Sequence, residues 1–213
     1  MSEIRIVFCD ILPMTTLPQS ILKSFQKAPT GKVCATSDFL HLGTRTAIDQ
    51  ALSRLVRRGD LRRVCRGLYD LPRVNVRFNL AVPPEPDQLA AAAARRNGAQ
   101  LLPSGAMAAN MLGLSTQVPA KAVYLTSGRS QTLKAGNLTI HLRHVASQNF
   151  SVKNHSSALV IQALKHLGKQ SVTERMLAIL RSRLTRAQRR NLLDDARYAP
   201  AWVANIAKAL TCE

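Results

Sequence analysis

The chain has 213 residues, 46% of them hydrophobic, which is enough for one or two ordinary domains with an apolar core and too much for a disordered chain. Its 30 Lys and Arg residues against 12 Asp and Glu leave a formal charge of +18, so a polyanion, nucleic acid foremost, is the leading class of partner. The balance is 13 basic against 6 acidic residues over 1–80, 6 against 2 over 81–150 and 11 against 4 over 151–213, so both ends are basic and neither is a charge-only tail.

Cys9, Cys34, Cys65 and Cys212 form no CxxC pair, which argues against a zinc ribbon or a disulfide framework and fits a reducing compartment. No apolar run reaches the roughly 18 residues of a membrane span, and the amino end lacks the basic-then-apolar order of a signal peptide. The expectation is a soluble, cytoplasmic protein with no membrane partner. Residues 1–13 match no later pattern, Met14 could itself be a translation start, and 1–16 is an extension without an assigned role.

Ile21, Leu22 and Phe25 repeat on one helical face of 17–27, which Pro29-Thr30-Gly31 ends. A short β-prone piece at 32–35 precedes a brief helix at 38–42, capped by Thr36 or Ser37 and closed by Gly43. Thr44 caps a third helix. Ala47, Ile48, Ala51, Leu52, Leu55 and Val56 give it a clean apolar stripe, and Arg45, Thr46, Asp49, Gln50, Ser53, Arg54, Arg57 and Arg58 fall opposite. After Gly59-Asp60, two β-prone pieces at 61–65 and 68–71 meet at Arg66-Gly67, where glycine permits a positive φ, and read as a hairpin.

Three helices with a tight turn before the third, followed by an arginine-bearing hairpin, form the order of a winged helix-turn-helix over 17–80. A basic helix face is by itself most often only a solvated surface; here the turn before it and the hairpin after it favour DNA. In that reading Thr44, Arg45, Thr46, Asp49, Gln50, Ser53, Arg54 and Arg57 face the major groove, with Arg45 and Gln50 reading bases. Arg62, Arg63 and Arg66 meet phosphates or the minor groove. Tyr69 reads as core rather than as a base-stacking platform.

The prolines of 82–86 disfavour helix and mark 81–86 as a linker. Beyond it, Asp87 caps an alanine-rich helix at 88–96, a second helix runs over 106–112, and 122–126 and 138–143 read as strands, so 87–150 is a small α/β domain. The region 151–213 is helical, with helices at 158–167 and 172–183, a third opened by the capping box Thr185 to Gln188, and a last one at 200–210. The fold class expected is therefore α+β: winged helix-turn-helix, small α/β domain, helical carboxyl-terminal tail. Arg181, Arg183, Arg186, Arg189 and Arg190 crowd one stretch that is either a second polyanion contact or a solvated surface.

Catalytic chemistry is not indicated, and no enzyme, metal or cofactor is expected. The middle domain offers only Glu85 and Asp87 as carboxylates, too few to converge on two metals. His141 and His144 would face opposite sides of a strand, and adjacent Asp194 and Asp195 diverge on a helix. Neither a GxSxG elbow nor a GxxxxGK phosphate loop occurs.

The stretch TSDFLHLGTRTAIDQALSRLVRRGDLRRVCRGLYDLPR resembles the amino-terminal winged domain of AbiEi-type antitoxins and transcriptional regulators. The continuation LLPSGAMAANMLGLSTQVPAKAVYLTSGRSQTLKAGNLTIHLRH is similar to that family's second domain, so the resemblance covers roughly 17–145. It implies a bacterial regulator that represses its own operon and acts as antitoxin to a nucleotidyltransferase-type toxin without a required stable complex. It also implies that 44–58 is the recognition helix and 62–69 the wing. The short helical stretch after the second domain departs from longer members, which carry a larger carboxyl domain, and an orphan regulator stays open. So do a homodimer and, as a different class, a non-specific RNA- or DNA-coating protein.

Overall fold

The computed structural model describes residues 16–211 except Val76 and Phe78; residues 1–15, with Cys9 and Met14, and Cys212 lie outside the described residues. Helix α1 (Leu17–Lys27) is opened by a capping box in which the Gln19 side chain accepts from the Thr16 N–H at 3.0 Å. It buries Ile21 and Phe25. The brief helix expected at 38–42 is instead a single 3-10 turn, Thr36–Phe39. Asp38 closes that turn by accepting from the Ala35 N–H at 3.0 Å, and Phe39 packs on Phe25 with ring centroids 5.4 Å apart.

Helix α2 (Arg45–Arg57) starts where expected, with the Thr44 side chain accepting from the Ala47 N–H, and turns Ile48, Ala51, Leu52 and Leu55 inward. Strands β2 (Arg62–Cys65) and β3 (Leu68–Asp70) form the expected hairpin, with Gly67 at its tip at φ +70°, a conformation that L side chains rarely adopt. The hairpin is completed by β1 (Cys34–Ala35), giving a three-stranded antiparallel sheet in the order β1-β3-β2. Tyr69 is buried with Phe25, Leu52 and Leu55 in the core beneath.

A short antiparallel pair that the sequence reading did not foresee, β4 (Val74–Asn75) and β5 (Leu80–Ala81), precedes the proline-rich segment. That segment is no free tether. The Val82 N–H donates to the Arg73 carbonyl at 2.8 Å, the Val82 carbonyl accepts from Arg62 at 2.9 Å, and Pro84 is buried. Helix α3 begins inside it, at Pro86, and runs Pro86–Arg96 rather than from 88. Asp87 consequently sits in the first turn rather than at the cap, and accepts from the buried Tyr124 hydroxyl. Burial and this hydrogen bond both push the Tyr124 phenol well above its ordinary range, so it stays a donor.

Helix α3 packs against β1 and β3 as well as against the second sheet. One core therefore joins Val33, Ala35 and Leu68 to Leu89, Ala93, Tyr124 and Ile140, across the boundary that the prolines mark. The second sheet has the order β6-β7-β9-β8, built from β6 (Leu101–Pro103), β7 (Ala122–Thr126), β8 (Gln131–Ala135) and β9 (Leu138–His144), with β7 and β9 parallel and the other pairs antiparallel. Strands β6 and β8 stand beside the two expected at 122–126 and 138–143.

The carboxyl-terminal helices α5 (His155–Leu167), α6 (Glu174–Arg183), α7 (Arg186–Asp195) and α8 (Ala201–Thr211) do not trail as a tail. They bury Val160, Leu164, Leu180, Leu192 and Leu210 around Ala108, Ala109 and Leu112 of the segment formed by α4 (Gly105–Met111) and its C-cap. Gly105 makes that junction: a Cβ there would collide with the His166 Cβ and lie 2.8 Å from the Gln162 carbonyl oxygen. The whole is a mixed α+β fold in which α3 and α4 each bind two regions together.

Candidate nucleic-acid interface

Because the apolar stripe of α2 is spent on the core, its other residues are left outside. Thr46, Asp49, Gln50, Ser53, Arg54 and Arg57 are exposed and lie together along one outward face of the helix. Arg45 is also exposed, but its Nε donates to Asp49 at 3.0 Å one helical turn on, so part of its charge is met within the helix. Thr44 spends its hydroxyl on the cap. Arg58 pairs with Asp60 at 3.2 Å, leaving the row Gln50, Ser53, Arg54, Arg57 without an ion pair among the described residues.

The hairpin divides its three arginines. Arg62, expected at the DNA surface, is bound inward: Nε and Nη2 grip both oxygens of Asp70, which is 1% exposed, and Nη1 donates to the Val82 carbonyl. The bidentate bond to Asp70 raises the Arg62 pKa further, against the opposing effect of burial. Arg62 and Asp70 face each other in register across β2 and β3, which is why the pair closes. Arg63 and Arg66 are exposed. The Arg66 carbonyl accepts from Nη1 of Arg96, and Arg95 beside it donates to the Val33 carbonyl at 2.9 Å and to Asp38 at 3.2 Å. The carboxyl end of α3 thus braces both the hairpin tip and the 3-10 turn.

The arginine-rich carboxyl stretch is largely committed elsewhere. Arg181 and Arg189 donate to the Ala209 and Leu210 carbonyls at 3.3 and 3.2 Å, closing the end of α8, and Arg183 donates to the Met111 carbonyl at 3.3 Å, closing α4. Arg186 and Arg190 are exposed. Asp195 is buried: desolvation alone would raise its carboxyl, but bonds from the Asn154 amide and from the Lys153 and Asn154 N–H groups outweigh it and hold the pKa low.

His141 and His144 are tied to Thr132 and to the Gly128 carbonyl at 3.1 and 2.9 Å. Among the described residues no group of His, Cys, Asp and Glu is placed to hold a metal ion, and no helix is long and apolar enough to cross a membrane. Cys34 and Cys65 are unpaired, and burial pushes both thiols up.

Fold and surface together define a mixed α+β protein that carries an open, cation-bearing helix face beside a braced hairpin. The chain belongs to a family of unknown function, DUF6088, whose model matches residues 20–192. No curated protein matches it.

Proposed function

We propose that this protein is a sequence-specific DNA-binding transcriptional repressor, working in the cytoplasm without enzymatic activity, in which 17–80 form a winged helix-turn-helix. Helix α2 is the recognition helix and β2–β3 the wing. The observation that carries the reading is the exposed row Gln50, Ser53, Arg54, Arg57, without ion pairs among the described residues and set beside a hairpin that leaves Arg63 and Arg66 outside. Gln50 and Arg54 are the base readers, and Arg45, held by Asp49, has the weaker claim. The resemblance to AbiEi-type regulators extends the proposal to repression of the protein's own operon and to neutralising a nucleotidyltransferase-type toxin without a stable complex.

The test is selection of bound duplexes from a random pool, followed by titration of the selected site and of scrambled DNA. Gln50→Ala or Arg54→Ala should cost about 1–3 kcal/mol on the selected site and little on scrambled DNA. Arg63→Ala should weaken both and lower the salt slope by about 1. No enrichment of any sequence, or equal losses on both DNAs for the α2 variants, would transfer the +18 charge to the non-specific coating reading.

A further inference from the structure

Where the amino-terminal sheet meets the second one, the surface folds into a cleft of about 510 Å³ between the start of α2, the hairpin tip, the end of α3 and β8. Four cations line it, Arg66 and the Asp49-paired Arg45 from the amino-terminal unit and Arg96 and Lys134 from beyond the proline segment, and no carboxylate is part of the lining. Among the described residues Arg66, Arg96 and Lys134 form no ion pair. Arg96 is held in place rather than swinging free, by its bonds to the Arg66 carbonyl and, at 3.5 Å, to the Gln131 side chain. Gln131 and Thr132 add neutral polar groups to the same wall. Cys65 also lines the cleft, and burial holds its thiol protonated, so it adds no negative charge.

We infer that this cleft is a phosphate oxyanion site shared by both units, and that its occupant is the phosphodiester backbone of duplex DNA running past the hairpin onto β8. Cations converging from two sides with no acid between them suit a doubly flanked anion rather than a base edge. The site rests on the proposed DNA-binding function for its occupant, but not for its chemistry, since a free phosphorylated metabolite offers the same oxygens. It makes the second unit part of the interface, at a place where Lys134 stands far from α2 in sequence.

Lys134 is the residue to change, because its side chain is exposed and makes no hydrogen bond or ion pair among the described residues, whereas the Arg96 side chain braces the hairpin. Lys134→Gln, with an unchanged melting temperature, should weaken a long selected duplex about fivefold and lower its salt slope by about 1, and Lys134→Arg should restore both. A duplex trimmed to the bases under α2 and the hairpin should bind Lys134→Gln and the unaltered chain alike. Loss for Gln50→Ala but none for Lys134→Gln on the long duplex overturns the site while the repressor reading stands. If no duplex binds, calorimetry with inorganic phosphate and ATP decides: heat that Lys134→Gln abolishes keeps the oxyanion site with a free phosphate as occupant. No such heat overturns both.

Discussion

The face built from α2 and the β2–β3 hairpin and the arginine stretch of α6 and α7 carry comparable charge in sequence, and the fold spends it in opposite ways. In the first, only Arg62 of the hairpin arginines is drawn inward, and Arg54, Arg57, Arg63 and Arg66 stay outside. In the second, three arginines donate to carbonyls at helix ends, where both the unpaired oxygens and the helix dipole favour a cation. A count of basic residues therefore overstates the charge that a partner can meet. What matters is whether a backbone carbonyl or a buried acid has already claimed the guanidinium.

The sharpest way to break the comparison is Arg62→Ala. If Arg62 holds the fold, leaving Asp70 buried and unpaired should cost about 3–5 kcal/mol of stability in a denaturant titration. If it were a phosphate contact instead, stability would hold and only the salt slope would change. Arg189→Ala should cost about 1 kcal/mol of stability by freeing the Leu210 carbonyl, with DNA affinity unchanged; weakened DNA binding at unchanged stability would return the carboxyl arginines to the interface.

Asp195 sharpens the contrast through pH. Its carboxyl is held below the ordinary range in the folded protein, so its ionised form adds stability that is fully present above the unfolded value and lost as pH falls through the folded one. Asp195→Asn should flatten the acid limb of the stability profile and leave neutral-pH DNA binding alone; an unchanged acid limb would mean that Asp195 does not hold this corner. The smallest effect belongs to Arg190→Ala, exposed and without a side-chain hydrogen bond or ion pair among the described residues, which should shift stability by less than about 0.5 kcal/mol and affinity not at all.

Much of the fold was readable because it is written locally. Helices α1, α2, α6 and α7 begin where Thr16, Thr44, Thr173 and Thr185 stand, and their apolar residues recur with the helical period. Strand β1 falls within the β-prone piece at 32–35, but β4 and β5 have two residues each, too few to show a period, and β8 turns only Leu133 and Ala135 inward between polar neighbours. The outward row of α2 was legible for the same reason that its stripe was. The fate of Arg62 was not, since its partner Asp70 lies across a hairpin whose register shifts between Arg63 and Cys65.

The sequence by itself determined the charge, the capped helices, the hairpin and the polar face that α2 turns away from its core, because caps and periods act over a few residues. Tertiary structure alone decided which cations remain available, that α3 ties the hairpin tip to the second sheet, and that Lys134 lines one cleft with Arg66 and Arg45. Those outcomes depend on contacts between residues from 8 positions apart, Arg62 and Asp70, to 72 apart, Arg183 and Met111, and no local pattern encodes which carbonyl or which acid a given guanidinium will reach.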